Sequence, residues 1–399
     1  MGQQVSRAAL DTLLAKTHVQ HALLQPDGRH NDTPTALATL VFLYAIPEQL
    51  QGVYEFETAG FASWQPSPGS IVDEESKVRF LGDNRFQRSY MTYFSMESGK
   101  LAGNIKALSE VHLLNGVRPL IYGLFMGLGR PLVFMSDAIE LQAALLVVQS
   151  LTLSAVDWSE PIYDLLSHPQ LETPAGELLS PEDILNRVAY DGRLSGVMRS
   201  GPGFHGVSQI FSNQNIKAAI VDYVHQLDCR NQTLLLEQLS SLSALLLCAT
   251  HKSSTPAFDF YLSYLPAWVN SLRVLLEHLT NFQDKHKLIL IRGVWLLMIL
   301  TYITQLRPVI NPALLLSAEL PEEGDDWENM FADFRHQCLS RESHTNSQLL
   351  RALRSLWELG KASDIGGRLH MQAAWKLVSE WERWIGMGDD REDTLNIRL

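Results

Sequence analysis

Apolar positions recur at helical spacing along most of the chain, and strand-like alternation is scarce. The pattern predicts a first helix over 8–24, then a loop, PDGRHNDTP, marked by Pro26, Gly28 and Pro34. Helices are predicted next over 35–45, 47–57, 86–98 and 101–114, with a loop over 64–73. The helical pattern continues through 113–130, LLNGVRPLIYGLFMGLGR. An Ala- and Leu-rich stretch over 137–153 suits an internal helix. Residues 154–173 are punctuated by Pro161 and Pro169, after which Ser180, Pro181 and Asp183 give a helix start close to a capping box. SGPGFH at 200–205 predicts a turn. Helices are then predicted over 213–227, 232–251, 258–279, 285–305, 347–359 and 373–385, with Pro266 kinking or splitting the third of these. The acidic run at 322–328 reads as a solvated loop. The expected fold is all-α, a single large multi-helix globular domain over 1–399, with a C-terminal helical part from about 340 packing on the rest.

Composition narrows the function by exclusion. A net charge of -12 argues against a general nucleic-acid partner and favours a small organic substrate. Cys229, Cys248 and Cys338 lack the spacing of a disulfide framework or zinc site. MGQQVSRAAL has no apolar leader core, although Gly2 and Ser6 satisfy the loose myristoylation pattern without a basic cluster beside them. The apolar stretch 288–303 is short for a membrane span and contains Arg292, so it reads as a core helix. The expected protein is cytoplasmic, with no membrane span; its oligomeric state is not legible.

Candidate chemistry is sparse. No P-loop, GxSxG elbow or HExxH motif occurs. Gly123, Gly127 and Gly129 do not spell GxGxxG and read as close packing or a turn rather than a dinucleotide site. Arg118 stands in apolar surroundings, where a buried guanidinium needs a partner or a task. On a helix, Tyr122 would share its face at i and i+4. His30 and Asp32 have the HxD spacing of an iron site, set against the plainer reading that Asp32 or Thr33 caps the next helix. Tyr261, Tyr264 and Trp268 form an aromatic helix face that serves either the core or a pocket. The remaining histidines are dispersed.

Several of these landmarks, in this order, resemble the questin oxidase-like family of fungal secondary metabolism. The resemblance runs through HND and LATLVFLYAIPEQLQGVY at 30–54, LGDNRFQRSYMTYF at 81–94, and RPLIYG, which is similar to the family's HPLIH. It continues with AFDFYLSYL at 257–265, YITQLRP at 302–308, LLRALRSLW at 349–357 and WIGMG at 384–388. It implies action on anthraquinones and related polyketides by oxidative ring opening or carbon–carbon cleavage, in some members with non-haem iron held by histidines and a carboxylated lysine. Here Arg118 and Tyr122 stand in place of the two histidines of HPLIH, Tyr264 in place of the later histidine, and Gln348 in place of the lysine. His30, with Asp32, is what remains, and His344 is slightly out of register. Arg and Gln are poor ligands and tyrosinate is uncommon, so no metal and no other cofactor is expected.

The replacements suggest metal-independent cyclisation, isomerisation or rearrangement of a polyketide-type substrate. Arg118 would stabilise an enolate or carboxylate, Tyr122 and Tyr264 would act as hydrogen-bond donors or acids, and His30 would be the base. Gln348, Asp32, Tyr261 and Trp268 are then expected to line the substrate site. The alternatives are an oxidoreductase that retains the family's oxidation, using NADPH or non-haem iron, and a non-catalytic binding protein.

Overall fold

Helix forms almost everywhere the apolar pattern predicts it. The computed structural model describes residues 2–69, 72–173, 176–198, 201–203, 206–252, 256–316, 320, 347–363 and 367–387. Among these there are seventeen α-helices and a single pair of two-residue strands, so the fold is all-α. Contacts divide the chain into two compact units, each assembled from three sequence segments. The first comprises 1–166, 271–293 and 339–350, and the second 167–270, 294–338 and 351–399. The acidic run at 322–328, Cys338 and His344 lie outside the described residues.

In the first unit, helices α1 (Gly2–Gln20), α2 (Thr33–Phe42), α3 (Pro47–Thr58), α4 (Gln87–Lys100), α5 (Ile105–Leu114), α6 (Arg130–Leu141), α7 (Ala144–Val156) and α8 (Glu160–Leu166) follow in order. The centre is α7, buried on every side from Leu146 to Val156, and α1, α4, α5 and α6 pack around it. A helix with no polar stripe must be enclosed in this way.

Two expectations fail in this unit. The stretch 137–153 is not one helix, because Gln142 takes a left-handed conformation (φ 49°) and Ala143 is extended, which separates α6 from α7. Nor is 113–130 helical throughout. Asn115 is extended, Gly116 has φ 101°, and Pro119 has no N–H to donate, so α5 ends at Leu114. Only two short 3₁₀ segments follow, Tyr122–Phe125 and Gly127–Gly129. Arg118 and Tyr122 therefore do not share a helix face.

In the second unit, α9 (Pro181–Tyr190) starts as the sequence predicts. Ser180 Oγ accepts from the Asp183 N–H at 3.2 Å and donates to the Asp183 carboxylate at 2.6 Å. At the other end of α9, buried Arg307 donates to the carbonyls of Val188, Ala189 and Asp191, a cation placed at the negative pole of the helix. Helices α10 (Val207–Ser212), α11 (Gln214–His225) and α12 (Gln232–Cys248) follow. Strand β1 (Phe258–Asp259) pairs in parallel with β2 (Trp384–Ile385), and Pro266 sits in the first turn of α13 (Leu265–His278), splitting 258–279. Helices α14 (Asp284–Thr304) and α16 (Ser347–Ala362), like α13, have residues in both units, whereas α15 (Ala313–Leu316) and α17 (Arg368–Glu380), the latter packed on α12, belong to the second. Among the described residues α14 alone is long and apolar enough to cross a membrane, and 78% of its apolar window is buried inside the protein. Cys229 and Cys248 are free thiols.

Buried histidines give the fold a defined response to acid. His112 of α5 lies edge-on to Tyr93 and Phe94, with ring centroids 5.8 and 5.1 Å away. Burial first, then the Lys77 charge, pushes it down to about 4 from the ordinary 6.5, against the pull of Glu97 and Glu74. In the second unit burial likewise lowers His370 to about 4, although Ser240 hydrogen-bonds its ring. An unfolded chain takes up these protons near pH 6.5, whereas the folded protein waits until about pH 4. Stability is therefore complete above pH 6.5 and falls as pH drops from 6.5 towards 4. His112→Gln should flatten this fall in urea melts at pH 7, 5.5 and 4.5, removing about 2 kcal/mol of pH dependence over that range. An unchanged slope would show that His112 titrates normally.

Candidate functional site

His30 is placed by a tight turn. Gln25 N donates to Arg29 O at 2.8 Å and Gly28, with φ 85°, closes the turn. Leu24 and His30 form an antiparallel bridge, and Asn31 N donates to Leu23 O. Gln87 braces the near side by accepting from the N–H groups of Leu23 and Leu24 and donating to Leu24 O. So held, the His30 imidazole places Nε2 2.8 Å from Asp157 Oδ2, with the two side chains 14% and 11% exposed. A carboxylate can only accept here, which selects the tautomer with the proton on Nε2 and the lone pair on Nδ1. Nδ1 bonds no described residue.

The glycine-rich stretch supplies the wall behind this pair. A Cβ on Gly127 would lie within 3.0 Å of both the Asp157 carboxylate and His30 Nε2, and one on Gly123 would collide with the Ser154 carbonyl. Gly127, Leu128 and Gly129 are left-handed in succession (φ 51°, 60° and 65°), a route that is costly for Leu128. The stretch serves close packing and a turn, as its lack of a dinucleotide motif implies. Arg130, directly after it, donates to Asp32 at 2.8 and 3.0 Å and to Gly127 O at 3.1 Å. Asp32 occupies the N-cap position of α2 but makes no side-chain cap, since Arg130 engages its carboxylate. On either side of Asp32, Asn31 Nδ2 and Thr33 Oγ1 are buried with no hydrogen-bond partner among the described residues. Glu57 is held above its ordinary range, chiefly by burial and also by the Asp32 charge, while a hydrogen bond from Ser347 opposes the rise. Ser347 precedes Gln348, which is half-buried in the first turn of α16.

Arg118 is neither buried nor without a partner. It is 34% exposed, forms an ion pair with Glu160, and stands over the Tyr163 ring at 5.5 Å. Tyr122 meets the same ring edge-on at 5.1 Å, and Trp158, which donates Nε1–H to Glu160, lies 5.2 Å from it. The two residues thus converge through Tyr163 rather than through a helical repeat. Asp157 caps the C-terminal end of α7 and Glu160, three residues on, opens α8, so the His30 pair and the Arg118 cluster meet at one helix junction.

Tyr261, Tyr264 and Trp268 belong to the second unit. Phe260 meets Tyr261 and Tyr264 edge-on at 5.4 Å each, and Tyr264 lies 6.0 Å from the fully buried Trp268. Their geometry is that of an aromatic core.

The questin oxidase-like family model matches residues 29–356, well over half of the chain. The chain belongs to the questin oxidase-like family. No curated protein matches the sequence. Questin oxidase-like membership suggests an enzyme of secondary metabolism. All the segments that carry the sequence resemblance fall within the match except WIGMG at 384–388 and the last residue of LLRALRSLW. Among the described residues, those at the positions the resemblance implies do not fit its iron centre. Arg118 is committed to Glu160, Tyr264 is packed on aromatic rings, and no group of three or more His, Cys, Asp or Glu able to hold a metal occurs among the described residues.

Asp157, Glu160, Tyr163 and Arg130 are absent from the sequence reading. One signal was available, since Asp157 caps the C-terminal end of an apolar helix, where a carboxylate faces the negative pole and needs a compensating partner. The close approach makes a direct prediction. Gly127→Ala should cost about 1–3 kcal/mol in denaturant melts. Gly99→Ala, in α4 with nothing within 4 Å of its Cβ, should be neutral or stabilising. Equal effects would contradict the packing described.

Proposed function

We propose that this questin oxidase-like protein is a proton-transfer enzyme acting on a polyketide-derived polycyclic or aromatic substrate. The reaction is a metal-independent cyclisation, isomerisation or rearrangement, with His30 as general base. The observation that carries this reading is the 2.8 Å contact between His30 Nε2 and Asp157 Oδ2, which orients the imidazole so that Nδ1 is the nitrogen left to take a proton. An acidic C–H next to a carbonyl would lose its proton to Nδ1, and the carboxylate would stabilise the imidazolium that forms. Asn31 Nδ2 and Thr33 Oγ1, buried on either side of Asp32, keep unused hydrogen-bonding capacity. Arg118, Tyr122 and Tyr163 offer a cation–aromatic edge for a flat ring system. Tyr261, Tyr264 and Trp268 take no part in this reading, and Gln348 keeps its expected place at the substrate site only through its neighbour Ser347.

Family membership favours a second reading, an oxidoreductase opening or cleaving an anthraquinone-like ring, with NADPH as reductant. The two readings separate on one experiment. Incubated in heavy water with an enolisable hydroxyanthrone, the protein should accelerate deuterium uptake at the acidic carbon without consuming oxygen. His30→Gln should lower that rate about 10²-fold or more, and Asp157→Asn should lower it less. Exchange unaffected by His30→Gln, oxygen uptake matching turnover, or stoichiometric iron in protein purified without chelator would overturn the proposal.

A further inference from the structure

The second unit contains a cavity of about 400 Å³ that the proton-transfer reading does not use. This is the size that takes a drug-sized molecule. Its walls come from α9 and α12, closed by Tyr302, Ile310 and Pro312. Leu185, Leu242 and Leu245 give it an apolar surface, and Asn186, Gln238 and Ser241 add amide and hydroxyl groups. The hydroxyl of buried Tyr302 already donates to Pro308 O, so the ring is what it contributes.

The charges decide what such a cavity accepts. Glu182, exposed, lies on the α9 wall and Glu237, half-buried, on the α12 wall, and no Lys, Arg or His is among the described lining residues. Glu237 accepts from Ser363 Oγ at 2.5 Å, whereas Glu182 makes no hydrogen bond to a described residue, and neither carboxylate forms an ion pair with one. The N-terminus of α9 does not reverse this sign, because Ser180 caps it and Glu182 and Asp183 fill its first turn. Two carboxylates with no described cationic partner, Glu182 exposed at the rim and Glu237 half-buried, disfavour phosphates and carboxylates in this mixed apolar and polar cavity, which also makes it a poor nicotinamide dinucleotide site. A cation attached to an apolar body relieves their repulsion and covers the leucines.

We propose that this cavity binds a small amphipathic amine, with its protonated nitrogen between Glu182 and Glu237 and its apolar body against Leu185, Leu242 and Leu245. The site stands independently of the proton-transfer reading. Titration calorimetry of the full chain at pH 7 with 1-naphthylmethylamine, 1-naphthylmethanol and 1-naphthoic acid tests it. The amine should bind at least fivefold more tightly than the alcohol, and the acid should not bind. Glu182→Gln and Glu237→Gln should each weaken the amine about fivefold and leave the alcohol unchanged. Leu245→Trp should abolish binding of both by filling the cavity, with the unfolding midpoint checked in parallel. No binding of the amine at millimolar concentration, equal binding of amine and alcohol, or full amine affinity in the double Gln variant would overturn the proposal.

Discussion

The close approach of the glycine-rich stretch to the C-terminal end of α7 is the constraint on which the first unit depends. Gly123 lies against the Ser154 carbonyl and Gly127 against the Asp157 carboxylate. From the other side Gly82 donates its N–H to Ala155 O at 2.9 Å and leaves no room for a Cβ beside the Trp158 carbonyl. Three glycines therefore press on a few residues where the central buried helix ends. A side chain at Gly123 or Gly82 would meet backbone, which cannot move aside as a flexible side-chain end can.

The chemistry inherits this geometry. Asp157, at the negative pole of α7, is stabilised by the His30 N–H, and Asp32, in the cap position of α2, is stabilised by Arg130. The two pairs are joined through Gly127, which touches the first by proximity and accepts from Arg130 through its carbonyl. Each acidic group thus has its own basic partner, and the His30 ring is fixed in both orientation and tautomer. The residues at the positions where the resemblance implies metal ligands have taken up other partners, as the Arg118–Glu160 pair shows.

Much of the fold was legible because apolar periodicity is a local signal. The starts at Ser180 and Pro47, the split at Pro266 and the internal character of α7 all follow from residues within a turn or two of one another. The break at Gln142 was not legible, since nothing in its neighbourhood marks a left-handed residue between two strong helix formers. The stretch 113–130 misled because its apolar spacing is compatible with a helix, while Gly116, Pro119 and the left-handed 127–129 segment decide otherwise. Within the candidate site, His30 and Asp32 were visible, but their partners were not. His30 meets a residue 127 positions away and Asp32 one 98 away, and a tertiary contact at that separation leaves no periodic trace. Tyr163, on which Arg118 and Tyr122 converge, was hidden for the same reason.

The central claim is that Asp157 fixes the orientation and tautomer of the His30 imidazole, with Nε2–H on the carboxylate and the lone pair on Nδ1. Imidazole ¹⁵N NMR on histidine-labelled protein at pH 7.5 tests it most directly, with the His30 signals assigned by their loss in His30→Gln. The account predicts a protonated Nε2 and an unprotonated Nδ1, with this preference lost in Asp157→Asn. A proton on Nδ1, or a tautomer mixture unaffected by Asp157→Asn, would contradict it.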